Sequence, residues 1–308
     1  MMTAPQISVV MSVHNGAATL RESVQSVLSQ EGVDLEFIIV DDGSTDASAG
    51  MLDEFALADR RIRVIHQENR GLTRALVRGC AVASGRLIAR QDCGDVSLSG
   101  RLSAELRAME SSTDVALVSC GTRFVGPGGE RLYEISIADG DATDGLMALD
   151  LKRVRGPAHH GSTLFRRELY EHVGGYREQF FFAQDLDLWT RLVEHGRHVA
   201  LPEVLYQASF ALGSISGRHR RHQIACAKII LDCARLRRAG LDDARVAAKG
   251  TAIVPEWRYE QSANHAAALY FVGVCLRSRA DPRAQQYFRD ALRANPLHLK
   301  SAVRLLMG

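Results

Sequence analysis

The chain has 308 residues, 46% of them apolar and 24% charged, and 38 Lys and Arg against 36 Asp and Glu leave a net charge of +2. That length and balance suit one large domain with an appendage, and they exclude a disordered chain or a small scaffold dependent on disulfides. The near-neutral charge gives no sign of a nucleic-acid partner, the six cysteines form no CxxC pair or zinc-like grouping, and no apolar run is long enough to span a bilayer.

The chain opens with MMTAPQISVVMSVHNG, which has no basic segment before its short apolar run, so no signal peptide is expected. Scattered single cysteines point to a reducing compartment. The expected location is cytoplasmic, with contact at the inner face of the membrane left open.

Ile7–Val13 is an apolar, β-branched run that reads as a buried parallel strand ending at His14-Asn15-Gly16. Ala17–Gln30 follows with Leu20, Val24, Val27 and Leu28 at helical spacing. Leu35–Val40 reads as a strand, Thr45–Leu57 as a helix, Ile62–His66 as a strand and Leu72–Ala83 as a helix. Leu87–Arg90 is a short strand, Leu98–Met109 a helix and Val115–Cys120 a further strand. This alternation predicts a mostly parallel sheet with helices on both faces, and ligands in such sheets sit at the carboxyl ends of the strands.

Beyond Phe124 the order changes. Gly126–Gly129 predicts a hairpin between Val125 and Leu132, residues 138–142 a loop, Leu146–Lys152 a helix, Ser162–Phe165 a strand and Arg167–Val173 a helix. Asp185–Glu194 reads as an amphipathic helix. After Ser214 only helices are expected: Gln223–Ala239, Asn264–Ser278, Arg283–Ala294 and His298–Met307. The expected division is a domain over 1–213 and a helical region over 214–308. Residues 264–297 of the latter are patterned like a tetratricopeptide-type helix pair, expected to pack on the main domain or on a partner. Seven Lys and Arg lie between Arg218 and Arg238 with only Asp232 opposing. They suit either a grip on anionic lipid headgroups or a solvated face of a helix packed on the main domain.

Four polar clusters are candidates for chemistry. Asp41-Asp42-Gly43-Ser44-Thr45-Asp46 follows a strand, where carboxylates can accept from a base or ribose, and the same residue types make a helix cap. Asp92-Cys93-Gly94-Asp95 offers two carboxylates on a turn, able to hold a cation or simply to be solvated. Gln184-Asp185-Leu186-Asp187 places an acid at a helix start, as general base or as N-cap. His159-His160 shows no matching ligand set in the sequence and reads as a hydrogen-bonding spacer rather than a metal site.

In order and spacing these clusters resemble family 2 of the glycosyltransferases. The resemblance runs over about residues 5–212 and is carried by ISVVMSVHNG at 7–16, SVLSQ at 26–30, IIVDDGSTD at 38–46, NRGL at 69–72, ARQDCGD at 89–95, Arg101-Leu102, FRR at 165–167, GGYR at 174–177 and QDLDLW at 184–189. It implies the GT-A fold and an inverting transfer of sugar from a nucleotide-diphosphate donor, of UDP type, to a glycan or lipid-linked acceptor in cell-surface polysaccharide synthesis. It implies that Ser12, His14, Asn15, Asp42 and Asp92 bind the nucleotide. It further implies that Asp92 and Asp95 serve Mg²⁺ or Mn²⁺, and that Asp185 is the base.

The chain departs from the family pattern at Ser12, His14 and Gln184, where proline, tyrosine and glutamate are usual. It departs most at Gly94, which replaces the usual metal-ligating acid. These departures admit a second reading, a sugar-nucleotide-binding or scaffold protein without catalysis. The tail then leaves two further contacts to consider, a peripheral one with the membrane and one with a protein partner.

Overall fold

A computed structural model describes residues 4–137, 140–210, 212, 219–254 and 261–306. The first half is the expected alternation: β1 (Ile7–Val13), α1 (Ala17–Leu28), β2 (Leu35–Asp42), α2 (Ser48–Ala58), β3 (Ile62–Gln67), α3 (Leu72–Ala81), β4 (Leu87–Arg90), β5 (Val96–Ser97), α4 (Arg101–Glu110) and β6 (Val115–Val125). Next come β7 (Arg131–Ile135), β8 (Gly140–Asp141), α5 (Thr143–Met147), β9 (Thr163–Arg166), α6 (Arg167–His172), α7 (Gln184–Leu192) and β10 (Arg197–Ser209). The helical region comprises α8 (Arg220–Arg238), α9 (Ala244–Ala247), α10 (Gln261–Arg277), α11 (Ala284–Ala294) and α12 (Leu299–Leu306).

The strands form one sheet in the order β3-β2-β1-β4-β9-β6-β10-β5, with β7 on β6 and β8 on β10. β1, β2, β3 and β4 pair in parallel, as do β6 and β10. β9 runs antiparallel between β4 and β6, so the second half of the sheet is mixed. Alternate side chains sort to the two faces, as a strand's period of two requires. Val9, Met11, Val13, Phe37 and Ile39 pack under α1, α2 and α4, while Val10 and Ile38 pack under α3, α6 and α7.

The structure corrects several expectations. α2 starts at Ser48 rather than Thr45, and the amides of Thr45 and Asp46 instead anchor the turn before it by donating to Asn15 Oδ1 at 2.7 and 3.2 Å. α4 begins at Arg101, after Gly100 at φ 77°, and a turn over residues 99–100 separates it from β5. The helix expected over 146–152 lies instead at Thr143–Met147. Asp150 then turns the chain by accepting the amides of Lys152 and Val154. Gly140–Asp141, expected in a loop, pairs with β10. β10 itself was not anticipated, since Pro202 interrupts its pattern. Register shifts around Leu201 and Val204 absorb the irregularity while pairing with β6 continues.

Helix α8 packs on the loop before α7 through Phe180, Phe182, Cys226, Ile230 and Cys233. Much of its positive charge is spent internally: Arg237 pairs with Glu194 and Asp243, and Arg235 with Asp232. α10 and α11 form a helix pair whose Val272, Leu276 and Phe288 cover Leu132 of β7. The boundary expected at 213/214 falls outside the described residues, as do Arg218 and Met307. Among the described residues, no helix is long and apolar enough to cross a membrane, and the six cysteines are free thiols.

Candidate active site

The turns after β1, β2 and β4 meet at the carboxyl edge of the sheet. Ser12 is half-buried near the end of β1, and His14 and Asn15 are exposed beyond it. Asn15 takes φ 54°, a left-handed conformation that asparagine tolerates. Its side chain accepts the Thr45 and Asp46 amides, and its own amide donates to Ser44 Oγ at 3.0 Å, which locks the first turn to the second. His14 Nδ1 lies 2.9 Å from the carbonyl of Asp42 and 3.1 Å from Asn69 Nδ2.

Asp42 is 2% exposed. Its Oδ1 accepts from Gln67 Nε2 at 2.7 Å and the Arg70 amide at 2.8 Å, and its Oδ2 accepts from the Gly71 amide at 2.8 Å. Three of about four acceptor positions on this carboxylate are thus filled by the end of β3 and the loop that follows it. Gly43 is forced by the same packing: it sits at φ 68°, and a Cβ there would lie 2.5 Å from the Asn69 amide nitrogen.

Asp92 and Asp95 stand at the end of β4. Asp92 Oδ1 accepts from Arg90 Nη2 at 2.6 Å, and the Arg90 side chain is wholly buried. Burial works to raise the Asp92 pKa, but the Arg90 guanidinium and the nearby His160 and His159 outweigh it and hold the carboxyl below its usual range. Burial, opposed by His159 and reinforced by the Asp92 charge, pushes Asp95 up to about 6. Asp95 Oδ1 accepts the Ser209 amide at 2.9 Å and its Oδ2 the Tyr206 hydroxyl at 2.9 Å. His159 lies beside both acids, with Nδ1 3.8 Å from Asp92 Oδ2 and 3.5 Å from Asp95 Oδ2. The three ligand atoms fall within 4.8 Å of one another, so the histidine read as a spacer is part of an O,O,N cluster. Its neighbour His160 faces inward, 2.6 Å from the Tyr176 hydroxyl, and burial, reinforced by Arg90, pushes it down to about 3.

Asp185 is the second residue of α7, its Oδ1 accepting the Leu186 amide at 2.8 Å. Burial raises its pKa. Ala183 before it is held at φ 55°, a strained conformation for alanine that sets the aim of the helix start. Asp187 is excluded as a rival base: it is fully buried against Arg191 Nη2 at 2.5 Å. Asp92, His159 and Asp185 line one cavity of about 640 Å³, with Phe124, Phe181, Phe182 and Trp189 among its walls and Arg220, Gln223 and Ile224 contributed by α8. Ser12, His14, Asn15, Asp42 and Asp95 lie outside that cavity's lining, at the neighbouring strand ends and turns.

Residues 8–174 match the family described as glycosyl transferase family 2. The chain belongs to that family. EpsE of Bacillus subtilis strain 168, a relative that carries a glycosyltransferase name, is 30% identical over 250 residues, 79% of this chain and 87% of its own length. EpsH of the same organism is 31% identical over 234 residues, 71% of this chain and 65% of its own. In fold the chain is similar to residues 1–349 of TarS from S. aureus, with a TM-score of 0.58 and 13% identity across 94% of this chain and 88% of that one. It is similar also to the mannosyltransferase PcManGT from Pyrobaculum calidifontis, solved with GDP-Man and Mn²⁺, at TM-score 0.57 and 18% identity over 99% and 84% of the two chains. The protein is therefore an enzyme, a family 2 glycosyltransferase with a GT-A-like sheet.

Arg90 and Tyr206 are site residues that the sequence motifs do not single out. A cation inside the apolar strand LIAR, two residues before Asp92, was the available signal, since a buried guanidinium needs an anion. Tyr206 was hidden with the rest of β10.

Proposed function

We propose that this glycosyltransferase inverts the anomeric centre as it moves a sugar from a nucleotide-diphosphate donor, of UDP type, to a hydroxyl of a glycan or lipid-linked acceptor in cell-surface polysaccharide synthesis. The observation that carries the reading is the shared cavity: a carboxylate of raised basicity, Asp185, faces the same space as Asp92. An acceptor hydroxyl is a poor nucleophile until its proton is taken. Asp185 accepts that proton as the hydroxyl oxygen bonds to the sugar's anomeric carbon. The bond from that carbon to the diphosphate oxygen breaks on the opposite face, and the nucleoside diphosphate leaves with the electron pair.

On the donor side, Ser12, His14 and Asn15 form the turn over which the nucleotide lies. Asp42 sets the loop that borders the base, with one acceptor position left for it. Asp92 and Asp95 are the carboxylates that would hold a divalent cation. Bound there, a cation supplies charge neutralisation to the leaving diphosphate. The solved TarS structures with UDP and UDP-GlcNAc support a UDP-type donor, and PcManGT with GDP-Man and Mn²⁺ supports a metal. On the acceptor side, the aromatic faces of Phe124, Phe181 and Trp189 suit sugar rings. Leu151, Ile224 and Ala227 suit an apolar carrier.

The test is Asp185→Asn. It should lower transfer by about 10²–10⁴-fold, the usual worth of a general base, with nucleotide binding nearly intact by calorimetry. Turnover equal to wild type would remove Asp185 from the mechanism.

A further inference from the structure

Gly94 leaves the acidic turn without the side chain that would ordinarily reach a metal, yet the structure brings another ligand to the same place. We propose that His159 is the third protein ligand of the divalent-cation site, joining Asp92 and Asp95 through Nδ1 in compensation for Gly94. The inference rests on the nucleotide-sugar reading above for the diphosphate that would complete the coordination.

The donor set fits. Each carboxylate already spends acceptor capacity on the protein, Asp92 on Arg90 and Asp95 on Ser209 and Tyr206, and each keeps a lone pair. The distances of 3.5 and 3.8 Å from His159 Nδ1 to the two Oδ2 atoms are close to what one ion requires. Ligands about 2.1 Å from a metal stand roughly 3–4 Å from each other.

The imidazole is presented for this task. The Gly161 amide donates to Nδ1 at 3.1 Å, so that nitrogen bears a lone pair and the ring proton resides on Nε2. The ring is held by stacking on Tyr206, centroids 5.5 Å apart, and by the edge of Phe124 at 6.0 Å. Tyr206 also holds Asp95, so one side chain orients two ligands. Loading an ion displaces the Gly161 contact. The Arg90 guanidinium opposes a dication and, through Oδ1, leaves Oδ2 of Asp92 for it.

A nitrogen ligand has a consequence for ion choice. Mg²⁺ favours oxygen and retains its waters, whereas first-row transition ions accept imidazole readily. The site should therefore prefer Mn²⁺ to Mg²⁺, and the preference should depend on His159.

The experiment measures Mn²⁺ binding directly, by electron paramagnetic resonance of free Mn²⁺ and by calorimetry, on the full chain with UDP present. Wild type, His159→Ala and His159→Gln are compared, each checked by circular dichroism and thermal melt. The expected result is a Kd for Mn²⁺ raised about tenfold or more in His159→Ala, a smaller loss in His159→Gln, and a Mg²⁺ affinity that changes little. An unchanged Mn²⁺ Kd in folded His159→Ala overturns the proposal, and so does a wild-type protein that transfers sugar without binding Mn²⁺. His159-dependent Mn²⁺ binding in a protein that releases no nucleotide from any donor would uphold the site and sink the transfer reading instead.

Discussion

The hydroxyl of Tyr206 joins Asp92 to Asp95: it accepts the Asp92 backbone amide at 3.1 Å and donates to Asp95 Oδ2 at 2.9 Å. A strand from the far half of the sheet thereby fixes both acids of the turn after β4. Tyr206→Phe keeps the ring and removes both bonds. Leaving a buried carboxylate oxygen and an amide unsatisfied should cost about 1–3 kcal/mol of stability, read by denaturant unfolding. Turnover should fall by about tenfold, some 1.4 kcal/mol of activation free energy, because Asp95 loses its orientation. Wild-type turnover in this variant would separate Tyr206 from the acids' function.

Asp185 is half-buried, and that burial raises its pKa. A carboxyl whose folded pKa exceeds its unfolded value destabilises the fold wherever it is ionised, and this penalty is gone once pH falls below the unfolded value. At neutral pH, Asp185→Asn should therefore raise Tm even as it lowers transfer, the expected cost of an active-site charge. In wild type, kcat/KM should drop as pH falls through that raised pKa, so its acid limb should lie above the usual carboxylate range. A limb near the ordinary aspartate value of 3.8 would contradict the assignment.

The parallel half of the fold was legible because β1, β2 and β4 are predominantly apolar runs, each followed by polar turn residues, in alternation with helical segments. The positions of Asp42, Asp92 and Asp185 at strand and helix ends were legible for the same reason. What each carboxylate touches was not. Asp42 meets Gln67, Arg70 and Gly71, and Asp95 meets Tyr206 and Ser209, across separations of 25 to 114 residues. Such contacts depend on strand order, and β9 and β10 enter the sheet out of sequence. The meeting of His159 with the β4 acids comes from that same rearrangement, with Pro202 masking the strand that brings Tyr206 under it.

Asp42 separates a bracing role from a purely ligand-contacting one. Its two oxygens serve three donors, two of them backbone amides. Asparagine offers one carbonyl oxygen, and its amino group would face a donor. Asp42→Asn should cost about 1–3 kcal/mol and speed amide exchange at Arg70 and Gly71, together with weaker UDP binding. Weaker UDP binding with unchanged stability and exchange would mean that Asp42 only contacts the base.

His66 bridges Asp41 at 2.9 Å and Asp53 at 3.0 Å. The hydrogen bond it donates to Asp41, then that to Asp53, raises its pKa above 6.5. Because the folded pKa is the higher one, the stabilisation is fully present below the unfolded value and is lost as pH rises through the folded one. The stability gap between wild type and His66→Gln should thus be wider near about pH 5 than near about pH 9. It should shrink in high salt, since both His66 and Asp53 are well exposed. A gap that widens with pH would reverse the assignment.

Gly161 tests how tightly the acids, the histidine and the tyrosine are packed. Its φ lies outside the left-handed range, so its backbone would accept alanine, but a Cβ there would sit 1.9 Å from the Tyr206 hydroxyl oxygen and 2.4 Å from Cζ. Tyr206 is fully buried, with the Arg101 guanidinium 4.9 Å over its ring and His159 stacked on it. It cannot swing aside without moving the groups that position Asp95 and His159. Gly161→Ala should cost about 1–3 kcal/mol by overpacking and weaken Mn²⁺ binding in the same variant. Gly50, inside α2 with nothing within 4 Å of its added Cβ, is the control. There alanine relieves backbone entropy in a helix and should stabilise by about 0.5–1 kcal/mol, with transfer unchanged. Equal and small effects at the two positions would show that the Tyr206 ring has room the packing denies.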